Sequence, residues 1–191
     1  MNFDERRELV EVVSKAISRR QDQLIIDALN GSSTSLSVAK TVVTTGSATN
    51  SNLNVGKMIE AKKLLDKGNV PSEDRCLVIH ANNVAGLLAD ERAISNDFAV
   101  KALLNGEVTA MLGFNIIIIG DRAEGGLPLS TNDRTCFAFH KSAMGMAEGM
   151  GIKTEINYVP EKTSFLVNSM FSAGAVAIDD EGIVKITCDE S

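Results

Sequence analysis

The sequence predicts a mixed α/β (α+β) fold in two lobes, on three observations. A helical pattern free of Gly and Pro runs from Asp4 to Leu29. Between residues 54 and 139 helical and strand patterns alternate, which implies one compact α/β unit. The C-terminal third, Ile152 to Ile186, reads as extended chain that carries no catalytic chemistry. The long helix and this ladder together imply a second, elongated lobe, residues 1–53 and 140–191, made from both chain ends.

Composition narrows the class. A chain of 191 residues can bury a sizeable core. Apolar residues make up 44%, but only 4% are aromatic and Trp is absent, so the core must be aliphatic. Small-molecule and nucleic-acid sites usually rest on aromatic platforms, which are scarce here. The net charge of −6 argues against a general nucleic-acid binder and leaves room for a protein that encloses nucleic acid without gripping it. Cys76, Cys136 and Cys188 form no CxxC pair and have no His at zinc spacing, so they read as inert buried thiols in a reducing compartment. MNFDERREL lacks the apolar core of a signal peptide, and no apolar run approaches the ~20 residues of a membrane span. A protein working in cytoplasm, or in something assembled there, is expected.

Each element has a local reason. In the first helix Leu9, Val13, Ala16, Ile17, Leu24 and Ala28 share one face, and Asn30-Gly31 supplies a left-handed stop. At 1.5 Å per residue this helix would span about 40 Å. Arg20 intrudes on its apolar face, where reaching Asp27, pairing with a neighbouring subunit and snorkelling to water all stay open. Ser37–Thr45 is a β-capable island in a Ser/Thr/Asn-rich stretch. Asn54 caps a second helix, Val55–Lys67, with Met58, Ile59, Leu64 and Leu65 inward, ended by Gly68 and Pro71. Arg75–His80 suits a strand buried on both faces, and Asn82 or Asn83 begins a third helix. A fourth is expected at Asp97–Leu104, stopping at Asn105-Gly106.

Val108–Leu112 and Phe114–Ile119 read as strands hinged at Gly113, and the four consecutive Ile of the second place it at the centre of a sheet. Gly120–Arg134 reads as a long polar loop, Thr135–Phe139 as a returning strand, and Lys141–Glu148 as a short helix. Ile152, Thr154, Ile156 and Tyr158 alternate with polar residues at the strand period. After Pro160 the apolar run Ser164–Ile178 continues the ladder. The turn Asp179–Gly182 then lets Ile183–Thr187 pair back as a hairpin.

No catalytic, cofactor-binding or metal-ligating constellation emerges. His80 and His140 each follow a strand, but neither has a Ser, Cys or carboxylate partner at a recognisable spacing, so both read as structural. Asp179, Asp180 and Glu181 read as a solvated acidic turn. The glycines of 120–134 precede no helix that would aim its N-terminus at a phosphate.

Five segments then combine: RRQDQLIIDALNG, VGKMIEAKKLLDKGNVPSEDRCLVI, VKALLNGEVTAMLGFNIII, FAFHKSAMGMAEGMGIKTEI and SAGAVAIDDEGIVKI. In this order they resemble the major capsid proteins of tailed bacteriophages, the group with the Hong Kong 97-type fold, over about residues 19 to 188. Each motif alone records packing and turns; their joint order is the specific signal. The resemblance implies that the first helix is the family's spine helix, lying with the ladder in a peripheral lobe. Residues 54–139 would be the axial lobe, whose loop tips crowd round five-fold and six-fold axes.

The same resemblance implies a non-enzymatic subunit, without cofactor or metal, that self-associates into pentamer and hexamer rings. These would close into a virion capsid around double-stranded DNA, with no sequence-specific DNA contact, assembled in the host bacterial cytoplasm, with a scaffolding protein as a further partner. Arg19, Arg20, Asp121, Arg122, Glu124, Asp133 and Arg134 are the candidates for subunit contact. The family's N-terminal arm and extended hairpin have no counterpart ahead of the helix. A trimmed protein, a degraded prophage gene and a minimal variant all stay open, and from these residues alone a monomer or small ring is expected. Two other readings remain: an encapsulin-like compartment shell, and a small α/β enzyme using His80 or His140 beside residues 120–134.

Overall fold

The computed structural model describes residues 5–44, 50–89, 110–121 and 126–191. The helix expected at Asp97–Leu104 with its Asn105-Gly106 stop, and the candidates Arg122 and Glu124, lie outside them. The described elements run α1 (Glu5–Gly31), β1 (Ser37–Val38), α2 (Val55–Lys67), β2 (Arg75–His80), α3 (Ala81–Leu88), β3 (Ala110–Met111) and β4 (Phe114–Ile119). They continue with β5 (Leu129–Ser130), β6 (Asp133–His140), β7 (Met144–Val159), β8 (Ser164–Ala177) and β9 (Ile183–Asp189).

Seven strands form one mixed sheet in the order β1-β9-β6-β2-β4-β3. Because β9 lines one edge of β6 from Asp133 to Phe139, β5 and β2 share the other edge. β2 runs parallel to β4 and antiparallel to β6, and β1 runs parallel to β9. The core follows this order. Leu77, Ile79, Phe137, Ala138, Ile183, Val184 and Ile186 are buried, closed over by Leu29, Met58, Ala61 and Leu65. The Asn54 cap forms as expected, its Oδ1 accepting the Lys57 N–H at 2.9 Å.

Several expectations are corrected here. β4 is not the central strand: among the described residues its outer edge pairs only with the two-residue β3, and Ile117 and Ile118 are 46% and 48% exposed. An apolar run shows readiness for burial, whereas neighbours decide it. Ile183–Thr187 does not fold back on the ladder; as part of β9 it pairs with β6 and β1. β1 and β9, which the two-lobe partition gave to the peripheral unit, are therefore strands of the large sheet. Lys141–Glu148 is not a helix, since only a 3₁₀ turn at Lys141–Ala143 precedes β7. Gly145 and Gly149 weaken a helix there, and Met144–Glu148 gains a ladder partner in Ala173–Ala177. Leu9 and Ile59, expected inward, are exposed.

β7 and β8 form a separate two-stranded sheet, with register shifts between Glu148 and Lys153. α1 packs against both strands, more extensively on β8. Along β8 the odd positions from Val167 to Ala177 are half-buried while Asn168, Met170, Ser172, Gly174 and Val176 are exposed, so one face is covered and one open. The two sheets join where Ile178 N–H donates to Ala143 O at 2.8 Å. A Cβ on Gly182 would lie 2.6 Å from the Ala143 Cβ, so this junction requires glycine.

Candidate functional site

In sheets with parallel strands, ligands usually sit beyond the strands' carboxyl ends. Here β2 ends at His80, β4 at Ile119 and β9 at Asp189, all at the end where β6 begins. That place is filled by the chain itself. Arg134, 3% exposed, donates from Nε to Glu190 Oε1 at 2.7 Å and from Nη2 to Glu190 Oε2 at 3.1 Å. The same Nη2 reaches Asp121 Oδ1 at 3.1 Å, and Nη1 makes a long 3.5 Å contact to Leu127 O. Glu190 also accepts from Asn82 Nδ2 at 3.2 Å and Asn83 Nδ2 at 3.3 Å. Burial pushes its carboxyl up, but the hydrogen bonds and charge of Arg134, with Asn82, outweigh this and hold it below the ordinary glutamate value.

His80 borders this cluster, with Nδ1 3.5 Å from Glu190 Oε1. Its Nδ1 accepts the Asn82 N–H at 3.1 Å and caps α3, in place of the Asn82 or Asn83 cap expected. With Nδ1 accepting, Nε2 is the ring's N–H; it lies 3.2 Å from Asp121 Oδ1 and makes no hydrogen bond there. Cys136 donates to Asn83 Oδ1 at 3.2 Å, and hydrogen bonding to Cys188 together with burial pushes its thiol up, away from the nucleophilic thiolate. His140 lies at the far end of β6, where Nδ1 accepts the Ser142 N–H at 3.2 Å. Both histidines therefore serve turns. Among the described residues no three His, Cys, Asp or Glu side chains converge on a metal position.

The contact candidates fall into unlike surroundings. Arg19 and Arg20 are exposed on α1; Asp27 takes a bond from Gln23 at 2.6 Å, and no ion pair to Arg20 occurs among the described residues. Asp121 is 74% exposed at its side chain. Asp133 is half-buried, held by Lys40 at 2.9 Å. Arg134 is corrected outright: it belongs to β6, faces inward and is spent on intrachain pairs, so it is no free loop residue.

Sequence reasoning missed Glu190, Lys57 and Arg75. Lys57 is fully buried, its Nζ donating to Ser51 O at 2.6 Å and Thr187 O at 2.9 Å, and burial lowers its pKa. Its position four residues before Ala61, on the face of α2 that meets β9, was the available signal. Arg75 is 2% exposed and bonds Pro71 O at 2.8 Å and Asp66 at 2.7 Å. The ladder offers a contrasting surface. Tyr158 and Phe165, opposite each other across the ladder, meet tilted at 5.3 Å between ring centroids and are both exposed, as are Leu166, Met170 and Val176.

Three solved structures carry this arrangement of helix, ladder and sheet. A chain from the head of Helicobacter pylori bacteriophage KHP40 matches 98% of this chain and 69% of its own length, at TM-score 0.76 and 12% identity. One from Mycobacterium phage Che8 matches 93% of this chain, at TM-score 0.66 and 19% identity, and this chain spans 61% of its length. The SrpI encapsulin of Synechococcus elongatus PCC 7942 matches 98% of this chain and 67% of its own, at TM-score 0.60 and 16% identity. At these identities the likeness establishes the fold, the Hong Kong 97-type. No curated protein matches the sequence. A model of phage capsid proteins, however, matches residues 1–190. That coverage takes in α1, the ladder and the whole large sheet, and the chain belongs to the phage capsid protein family.

Proposed function

We propose that this chain is a major capsid subunit, or the core of one, that associates with copies of itself into rings and then a closed shell around double-stranded DNA. The observation that carries this reading is α1 laid along the β7–β8 ladder beside a compact α/β sheet, in a chain matched from residue 1 to 190 by the phage capsid family. The open ladder and the sheet end around Asp121 and Leu129 are the faces assigned to neighbours, with Arg19 and Arg20 on the exposed side of α1. In this reading residues 54–139, with β1 and β9 attached, form the axial lobe, and α1 with the ladder forms the peripheral one. Ring contacts are heterologous, one side of a subunit meeting a different side of the next. The net charge of −6 suits a wall that surrounds DNA without binding its sequence.

Native mass spectrometry and electron microscopy of the purified chain test the reading. Monomers in exchange with small rings are expected, with rings favoured at high protein concentration and low salt, because charged contacts at this end are screened by ions. A chain that stays monomeric at every attainable concentration would defeat it.

A further inference from the structure

We propose that Arg134, gripped by Glu190, is a positioning residue for subunit contact: it holds Asp121 and the start of the β5–β6 hairpin at Leu127 before a neighbouring copy arrives. The inference rests on the assembly reading above. Asp121 is 74% exposed, and an exposed ion pair between two free side chains would hold it weakly. Its partner is not free. The Arg134 guanidinium is 3% exposed and forked onto Glu190 at 2.7 and 3.1 Å, a geometry that immobilises it.

From that fixed point one nitrogen takes Asp121 at 3.1 Å and another points to Leu127 O at 3.5 Å, so Asp121 and Leu127 meet one group. Leu127 is buried, and Pro128 O accepts the Thr135 N–H at 3.0 Å, which ties the start of the hairpin to β6 again. Immediately beyond come Leu129, 52% exposed, and Thr131 at φ 60°, the tip of the β5–β6 hairpin.

Fold stability alone does not account for this device. A buried ion pair can often be replaced by apolar residues of like volume without loss. What an apolar pair cannot do is hold an exposed carboxylate in place. Ordering a contact surface in advance removes part of the entropy cost of association, which matters most where each contact is weak.

Amide hydrogen exchange at residues 126–131, read beside native mass spectrometry at a concentration where the wild type forms rings, tests the proposal. Glu190→Gln and Arg134→Lys are expected to melt cooperatively, to exchange at least tenfold faster at those amides, and to associate about tenfold more weakly. The double variant Arg134→Met/Glu190→Met, which refills the space but takes the guanidinium from Asp121 and the carboxylate from Asn82 and Asn83, is expected to fold and to associate as poorly. Wild-type association in the double variant would overturn the proposal, as would unchanged exchange in all three. Leu129→Ser separates the two readings, because it touches the tip and not the clamp. If it weakens rings while the clamp variants do not, the assembly reading stands and the positioning role falls. If neither it nor the clamp variants have any effect, this end is no contact and the proposal falls with that part of the reading.

Discussion

The large sheet and the ladder are made from similar apolar residues and meet opposite fates. β6 carries four consecutive buried residues, Cys136 to Phe139, because β9 and β2 flank it and its side chains lie inside the main core cluster. β7 and β8 are longer, yet among the described residues they pair only with each other and pack on α1, so Ile152, Ile156, Leu166 and Met170 remain 40–54% exposed. Stability is therefore concentrated in one region and surface for association in the other. An apolar side chain in the first holds the subunit together, whereas in the second it stays open, on a face that the assembly proposal gives to a neighbouring copy.

The largest expected effect sets the two sides of this comparison apart. Phe137→Ala should cost about 3–5 kcal/mol, as large-to-small changes in packed cores do, while Ile118→Ala on the half-open β4 should cost under about 1 kcal/mol. Chemical denaturation of both variants measures this, and equal losses would mean that β4 is covered as fully as β6. Next comes Lys57→Met, expected to cost about 1–3 kcal/mol by removing a buried donor from Thr187 O and from Ser51 O, which keeps only the Asp189 N–H at 3.0 Å. A variant as stable as wild type would show that those carbonyls find other donors.

A smaller effect follows from pH. The folded Glu190 carboxyl is depressed, so its contribution is complete above the unfolded glutamate pKa of about 4.3 and is lost as pH falls through the lower folded value. The melting temperature should fall with acid below about pH 4.5 more steeply in the wild type than in Glu190→Gln. Parallel curves would remove Glu190 as a source of acid sensitivity. The smallest change in monomer stability is expected on the ladder. Tyr158→Ser with Phe165→Ser should cost about 0.2–1 kcal/mol, the worth of a cross-strand pair, yet weaken association measurably by native mass spectrometry. Loss of folding with no change in association would reverse the roles assigned to the two regions.

Local chemistry made much of the fold readable. A helix without Gly or Pro, an Asn cap before Val55, a strand of RCLVIH and the alternation around Ile156 all reflect interactions within a few residues, and each element formed where it was expected. The ordered segments also carried the family resemblance, because turns and packing faces leave their spacing in the chain. The clamp was not readable. Arg134 and Glu190 stand 56 positions apart, and nothing near either one announces a partner.

By itself, then, the sequence determined which stretches are helical or extended and that the core is mainly aliphatic, with Phe114, Phe137 and Phe139 among its few aromatics. Only the tertiary structure decided that β9 leaves the ladder for β6, that the four isoleucines of β4 lie near an edge, and that Arg134 is enclosed. The physical reason is range. Backbone propensity and hydrophobic period act over a few residues, whereas burial and ion pairing depend on which distant strands become neighbours. Many pairings satisfy the same local pattern, and the fold selects one of them.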